Sequence, residues 1–161
     1  MNRQEMRQRK DKARKAKKAA DELFPDEKWK TIGGGIYVSP NRPVGEKSGY
    51  SDERRDAEIL RSFGSTVYLV PDDSRAAGNK YDAIVDGLKM EFKNVAGNAN
   101  TLQTQFLRSR EHAPNVFINL EKSSLTKQEI ITALYGARNN PRYPKKNKFQ
   151  GGRIILKIKG A

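Results

Sequence analysis

The sequence has no cysteine, a single histidine and a single tryptophan. The first absence excludes disulfide frameworks, thiolate zinc sites and cysteine nucleophiles. No apolar run approaches the ~20 residues that a membrane-spanning helix needs. The basic N-terminus is not followed by the apolar core of a secretory signal, so the chain is expected to be soluble and to act in the cytoplasm. Acids are scarce beside bases: 19 Asp and Glu against 32 Lys and Arg give a formal charge of +13. So large an excess calls for a polyanionic or acidic partner, with nucleic acid first and an anionic membrane or an acidic protein behind it. Composition does not choose among them.

At 161 residues the chain can bury one real core but not two full ones. The expected organisation is a basic leader and irregular segment over 1–49, followed by a globular domain over 50–161. Residues 1–20 hold nine Lys or Arg against Glu5 and Asp11. Ala and Lys favour helix there, but without an apolar stripe to bury, a solvated helix is expected. From Asp21 to Gly49 a few aromatics are interleaved with Gly33, Gly34, Gly35, Pro40 and Pro43, which predicts an irregular stretch with at most one short strand. Ser51 can cap a helix that Gly64 closes. 66-TVYLV-70, 81-YDAIVD-86 and 88-LKMEFKNV-95 read as strands, the last two joined by the hairpin signal Asp86-Gly87. A helix near Thr101–His112, a strand 115-NVFINL-120, a helix opened by the capping-box pair Thr126 and Glu129, and a strand 153-RIILKIK-159 complete the order α-β-β-β-α-β-α-β.

The hairpin carries the chemistry. A two-residue turn at Asp86-Gly87 sets Val85 opposite Leu88, Ala83 opposite Met90 and Asp82 opposite Glu91. One face is then Tyr81, Ala83, Val85, Leu88, Met90 and Phe92, and the other is Asp82, Ile84, Lys89, Glu91 and Lys93. Opposed residues have Cβ atoms roughly 4.5 to 5.5 Å apart, so two carboxylates there repel unless a cation or a proton lies between them. Oxygen-only ligation suggests Mg²⁺ or Mn²⁺. The helix wheel adds a third carboxylate: Glu53 lies about 20° from Leu60, on the arc of Ala57 and Phe63, whereas Glu58 points to water. Two blander readings compete with this one. Glu53 can serve the helix dipole, and the hairpin charges can be the solvated outer face of an edge strand.

A helix, three strands bearing an acid and then Glu-x-Lys, and a further helix and strand resemble the PD-(D/E)xK nucleases. Asp82 stands at the motif's aspartate, with Tyr81 where the name has proline, and 91-EFK-93 matches its Glu-x-Lys. More narrowly, 57-AEILRSFGSTVYLVPDD-73, 81-YDAIVDGLKMEFKNVAGN-98, 101-TLQTQFLRSREHAPNVFINL-120 and 152-GRIILKIKG-160 are similar to the C-terminal nuclease domains of bacterial contact-dependent growth inhibition toxins and related polymorphic toxins. The resemblance implies an α+β fold with an αβββαβ core, its mixed central sheet flanked by helices. It further implies cleavage of RNA, chiefly tRNA, in a bacterial cytoplasm reached by delivery from another cell. An acidic cognate immunity protein would block the site.

On that reading Asp82 and Glu91 hold the metal, helped by Glu53 or the Phe92 backbone carbonyl, and the metal neutralises phosphoryl charge and activates water. Lys93, flanked by carboxylates, suits transition-state stabilisation better than general-base work. If the substrate is RNA, a 2′-hydroxyl can be the nucleophile and the metal is dispensable. Thr101, Gln103 and Gln105 at a helix start are expected either to meet the scissile strand or to cap and face water. Arg138, Arg142, Tyr143, Lys145, Lys146 and Lys148, in a stretch without acids, are expected to track the backbone and stack on bases. His112, at a helix end before Ala113-Pro114, is expected to be structural or to serve the helix dipole. Two other classes stay open: a metal-dependent DNA endonuclease of restriction or repair type, and a non-catalytic basic nucleic-acid-binding module.

Overall fold

The computed structural model describes residues 1–43, 45, 49–71, 81–139 and 152–160, excepting the side chain of Arg138. These residues form a mixed α+β architecture of four helices and seven strands. The chain divides into two compact units, Met1–Lys89 and Met90–Ala161.

The first unit opens with α1 (Arg3–Leu23), whose start is fixed by a capping box: Asn2 accepts from the Glu5 N–H, and Glu5 accepts from the Asn2 N–H. The helix is not merely solvated as expected, because Ala16 and Ala20 are fully buried. Two alanines one turn apart make a narrow docking stripe. Their small side chains let a helix approach closely, and a search for Leu, Ile and Phe overlooks them.

The next segment holds two strands where one at most was expected. β1 (Lys30–Gly33) and β2 (Ile36–Val38) pair antiparallel across Gly34-Gly35, so the glycine run taken as irregular is a hairpin turn. β2 runs parallel to β3 (Val67–Leu69), and β3 antiparallel to β4 (Ala83–Val85). α2 (Tyr50–Ser62) starts a residue before Ser51, with Gly49 at its N-cap position, so Ser51 is not the cap. The chain leaves that helix at Gly64, as expected. After β4, Asp86 (φ 50°) and Gly87 (φ 86°) both take the left-handed conformation that the Asp-Gly signal predicts. The Asp86 carboxylate accepts from the Thr66 N–H at 2.9 Å, which ties the turn to the start of β3. Phe24, Trp29, Tyr37, Tyr68 and Tyr81 form a chain of ring contacts in this unit, with Tyr37 stacked on Tyr68 at 4.6 Å.

β5 (Leu88–Asn94) begins at the end of the first unit and runs into the second. There it pairs parallel with β6 (Asn115–Leu120), which pairs parallel with β7 (Ile154–Ile158). β6, flanked by strands on both edges, is buried along its whole length. α3 (Ala99–His112) is capped by Asn98, and α4 (Lys127–Asn139) by the Thr126–Glu129 capping box in both directions. Hydrogen bonds from Thr126 hold the Glu129 carboxyl below its usual range. Leu102 and Phe106 of α3, Val116 and Ile118 of β6, and Ile130 and Ala133 of α4 form the core, with Ile154 and Leu156 packed against it. From α2 to β7 the elements follow the predicted order.

Candidate active site

The first unit gathers Arg42, Glu53 and Asp82. Glu53 lies in the first turn of α2 and Asp82 just before β4, where its carbonyl accepts from the Val70 N–H at 3.2 Å. Arg42 grips Glu53 with two bonds, Nε to Oε2 at 2.9 Å and Nη2 to Oε1 at 2.7 Å. The same Nη2 stands 3.6 Å from Asp82 Oδ1, and Nη1 donates to the Val70 carbonyl at 2.6 Å. All three side chains are withdrawn from water, the guanidinium down to 3% exposure. Glu53 therefore turns inward, as the helix wheel predicted, but its partner is a side chain and not only the helix dipole. Glu58 faces out and pairs with Arg54. Burial of ions at this level is sustained only by pairing and hydrogen bonding, which the bidentate fork supplies.

The second unit gathers Glu91, Lys93 and His112. Glu91 sits mid-strand in β5, opposite Val116 of β6, and is 4% exposed. It is therefore not a solvated charge on an open face. One of its oxygens, Oε1, meets Lys93 Nζ at 2.9 Å and His112 Nδ1 at 3.0 Å. Lys93 follows two residues on along the strand, and His112 ends α3, whose exit into β6 brings the imidazole back to β5. Lys93 and His112 keep 21% and 31% exposure, so both groups reach solvent from a buried carboxylate.

Two residues escaped the sequence reading. His112 was assigned to the helix end, which it occupies, but its ring serves Glu91 across 21 residues of chain. Arg42 carried no signal at all, since its partners lie 11 and 28 residues away and no local pattern marks it. Asp56 is fully buried on α2, and the wheel that selected Glu53 would have found it, one turn along the same face. Of the expected nucleic-acid contacts, Thr101 is exposed and donates its N–H to the capping Asn98. Gln103 lies against Gly136 of α4, and Gln105 is half-buried. Arg142, Tyr143, Lys145, Lys146 and Lys148, and the side chain of Arg138, lie outside the described residues.

Asp82, Glu53 and Glu91 were expected to hold a divalent metal. Among the described residues no three carboxylates or imidazoles are gathered as a metal site. Each acid is engaged by side chains of its own unit: Glu53 and Asp82 by the Arg42 guanidinium, Glu91 by the Lys93 ammonium and the His112 imidazole. Within each unit the acids are thus held by the chain's own side chains. In comparisons with protein-family models, curated proteins and solved structures, nothing matches the chain.

Proposed function

We propose that the chain is an endoribonuclease that cleaves RNA through attack of a 2′-hydroxyl on the adjacent phosphate, with Glu91, His112 and Lys93 as its working groups. The observation that carries this reading is the buried Glu91 oxygen that holds an imidazole and an ammonium at once. With its proton on Nδ1, His112 directs the Nε2 lone pair away from Glu91, where it can take the 2′-hydroxyl proton. O2′ then bonds to phosphorus, the P–O5′ bond breaks, and the 5′-oxygen leaves with a proton drawn from water. The products end in a 2′,3′-cyclic phosphate and a 5′-hydroxyl. Lys93 faces the charge that develops on the phosphoryl oxygens. Within the first unit, Asp82 and Glu53 hold Arg42.

The resemblance to PD-(D/E)xK nucleases supports the wider reading. Among the described residues the buried acids are Asp56, Asp82 and Glu91, and two of the three are the motif's own. The element order from α2 to β7 agrees with the motif's placement. On this basis the RNA is tRNA, the protein is a toxin that acts in a bacterial cytoplasm after delivery, and an acidic immunity protein covers its basic surface.

Incubating the purified chain with total tRNA and with plasmid DNA, in Mg²⁺ or in EDTA, tests the proposal beside His112→Ala, Lys93→Ala and Asp82→Ala. The expected result is discrete tRNA fragments with cyclic-phosphate ends in both buffers, lost when the cleaved nucleotide is 2′-deoxy. His112→Ala should slow cleavage about 10²- to 10⁴-fold. Activity that vanishes in EDTA, or cleavage of DNA, would overturn the 2′-hydroxyl route and restore the metal-dependent one. RNA bound but never cut would leave a basic binding module.

A further inference from the structure

The face by which α1 docks continues toward the N-terminus from Ala16 and Ala20 to Lys12 and Arg9. At about 100° per residue, both cations lie within about 40° of Ala16. The helix thus turns two positive charges toward the body of its own unit. With Tyr37, Arg61, Ser65 and Thr66 they line a concavity of about 220 Å³.

Little in this hollow cancels the charge. Arg9 is exposed and meets no carboxylate among the described residues. Lys12 reaches Asp86 only at 3.5 Å, and that carboxylate is shared with the Thr66 N–H. Arg61 donates to the Gly34 carbonyl, a neutral acceptor, and keeps its full charge. Beside the hollow, an open depression shares Arg9, Gly34, Arg61 and Gly64 with it and adds Phe63 and Glu58, the latter paired with Arg54 at 3.4 Å. Phe63 is 74% exposed, the largest exposure of any aromatic side chain among the described residues. A bare ring next to three cations and three hydroxyls matches the two needs of single-stranded nucleic acid: a flat surface for a base and donors for the phosphate beside it. An acidic peptide would use the cations and leave the ring idle.

We infer that the first unit binds a single-stranded nucleic-acid segment here, its phosphate held by Arg9, Lys12 and Arg61 and its base stacked on Phe63. As an anchor for RNA this rests on the proposed ribonuclease activity; as a binding site it stands without it. Binding of a fluorescent single-stranded RNA of about twelve nucleotides, followed by anisotropy in a Lys93→Ala background so that it is not consumed, tests the inference. Phe63→Ala and Arg9→Glu change exposed side chains, and circular dichroism checks that both fold. Phe63→Ala should weaken binding about tenfold. Arg9→Glu should weaken it at about 50 mM salt and reduce the salt slope by about 0.7, the loss of one single-strand phosphate contact. Affinities within about twofold of the parent for both variants would overturn the inference. So would displacement by a poly-glutamate peptide with no effect of Phe63→Ala, which would assign the hollow to an acidic protein. Weakened binding in the variants with no tRNA cleavage by the wild-type chain defeats only the ribonuclease reading. Cleavage with unchanged binding defeats only this one.

Discussion

Replacing Arg42 with Met removes a guanidinium and keeps most of the side chain's bulk, so packing is disturbed less than electrostatics. The change deletes three donated hydrogen bonds, two to Glu53 and one to the Val70 carbonyl, and withdraws the cation 3.6 Å from Asp82. The side chains involved are 3%, 16% and 6% exposed, so water does little to replace what is lost. Breaking one side of such a buried pair costs about 3–5 kcal/mol, mostly as the desolvation of the anions left behind. With a urea m-value of roughly 2 kcal/mol/M, the unfolding midpoint of this unit should fall by about 2 M. Trp29, the only tryptophan, lies in the same unit against Tyr68, so its fluorescence reports the relevant transition. Adding Glu53→Leu to Arg42→Met removes one stranded anion and should recover part of the loss, whereas the two changes in independent sites would add. A loss under about 1 kcal/mol in Arg42→Met would mean that the fork is a surface-grade ion pair and would refute the reasoning.

Alkali offers a separate probe. Burial, with Tyr37 and Asp21 nearby, pushes the Tyr68 hydroxyl up from the ordinary 10.0 to about 12. The folded state favours the protonated ring, so this contribution is fully present below the unfolded value and is lost as pH rises through the folded one. Stability should decline between about pH 10 and 12 and decline less in Tyr68→Phe, as followed by Trp29 fluorescence. In the second unit, Gly152 has φ 95°, and a side chain there would collide with the Pro114 carbonyl oxygen. Gly152→Ala should cost about 1–3 kcal/mol in urea unfolding, and an unchanged midpoint would show that the segment before β7 relaxes freely.

What the sequence made legible followed from local rules. The Asp-Gly turn, the Thr126–Glu129 capping box and the strand β5 each involve residues within a few positions, so single windows disclose them. Glu53 was legible because one helix wheel relates it to Leu60. Arg42 and His112 were not, because each acts on an acid brought near only by the fold, and neither sits in a pattern that repeats at 2 or 3.6 residues. The docking of α1 failed for a different reason: its buried stripe is two alanines in a run dominated by lysine and arginine, where the average hydropathy is low although the contact is dry. The competing reading of a solvated outer face for the hairpin fails, because alternation distinguishes the two faces of a strand but does not say whether the second is covered; Asp82, Ile84 and Glu91 are all buried.

The arrangement of charge also meets an objection that the sequence alone raises: acids on a surface that approaches phosphates should repel them. Each of these acids has a partner within its own unit. Glu53 and Asp82 share the Arg42 guanidinium, and Glu91 takes Lys93 and His112. Glu91, matched by Lys93, contributes little field at a distance, and Lys93 retains solvent exposure and presents its charge outward, whereas Glu53 and Asp82 share a single guanidinium. The excess of +13 then falls to the surface, where it can draw in a polyanion at low salt. On the ribonuclease reading, Glu91 serves to place Lys93 and His112, and a phosphate at this site meets those two groups rather than the buried acid.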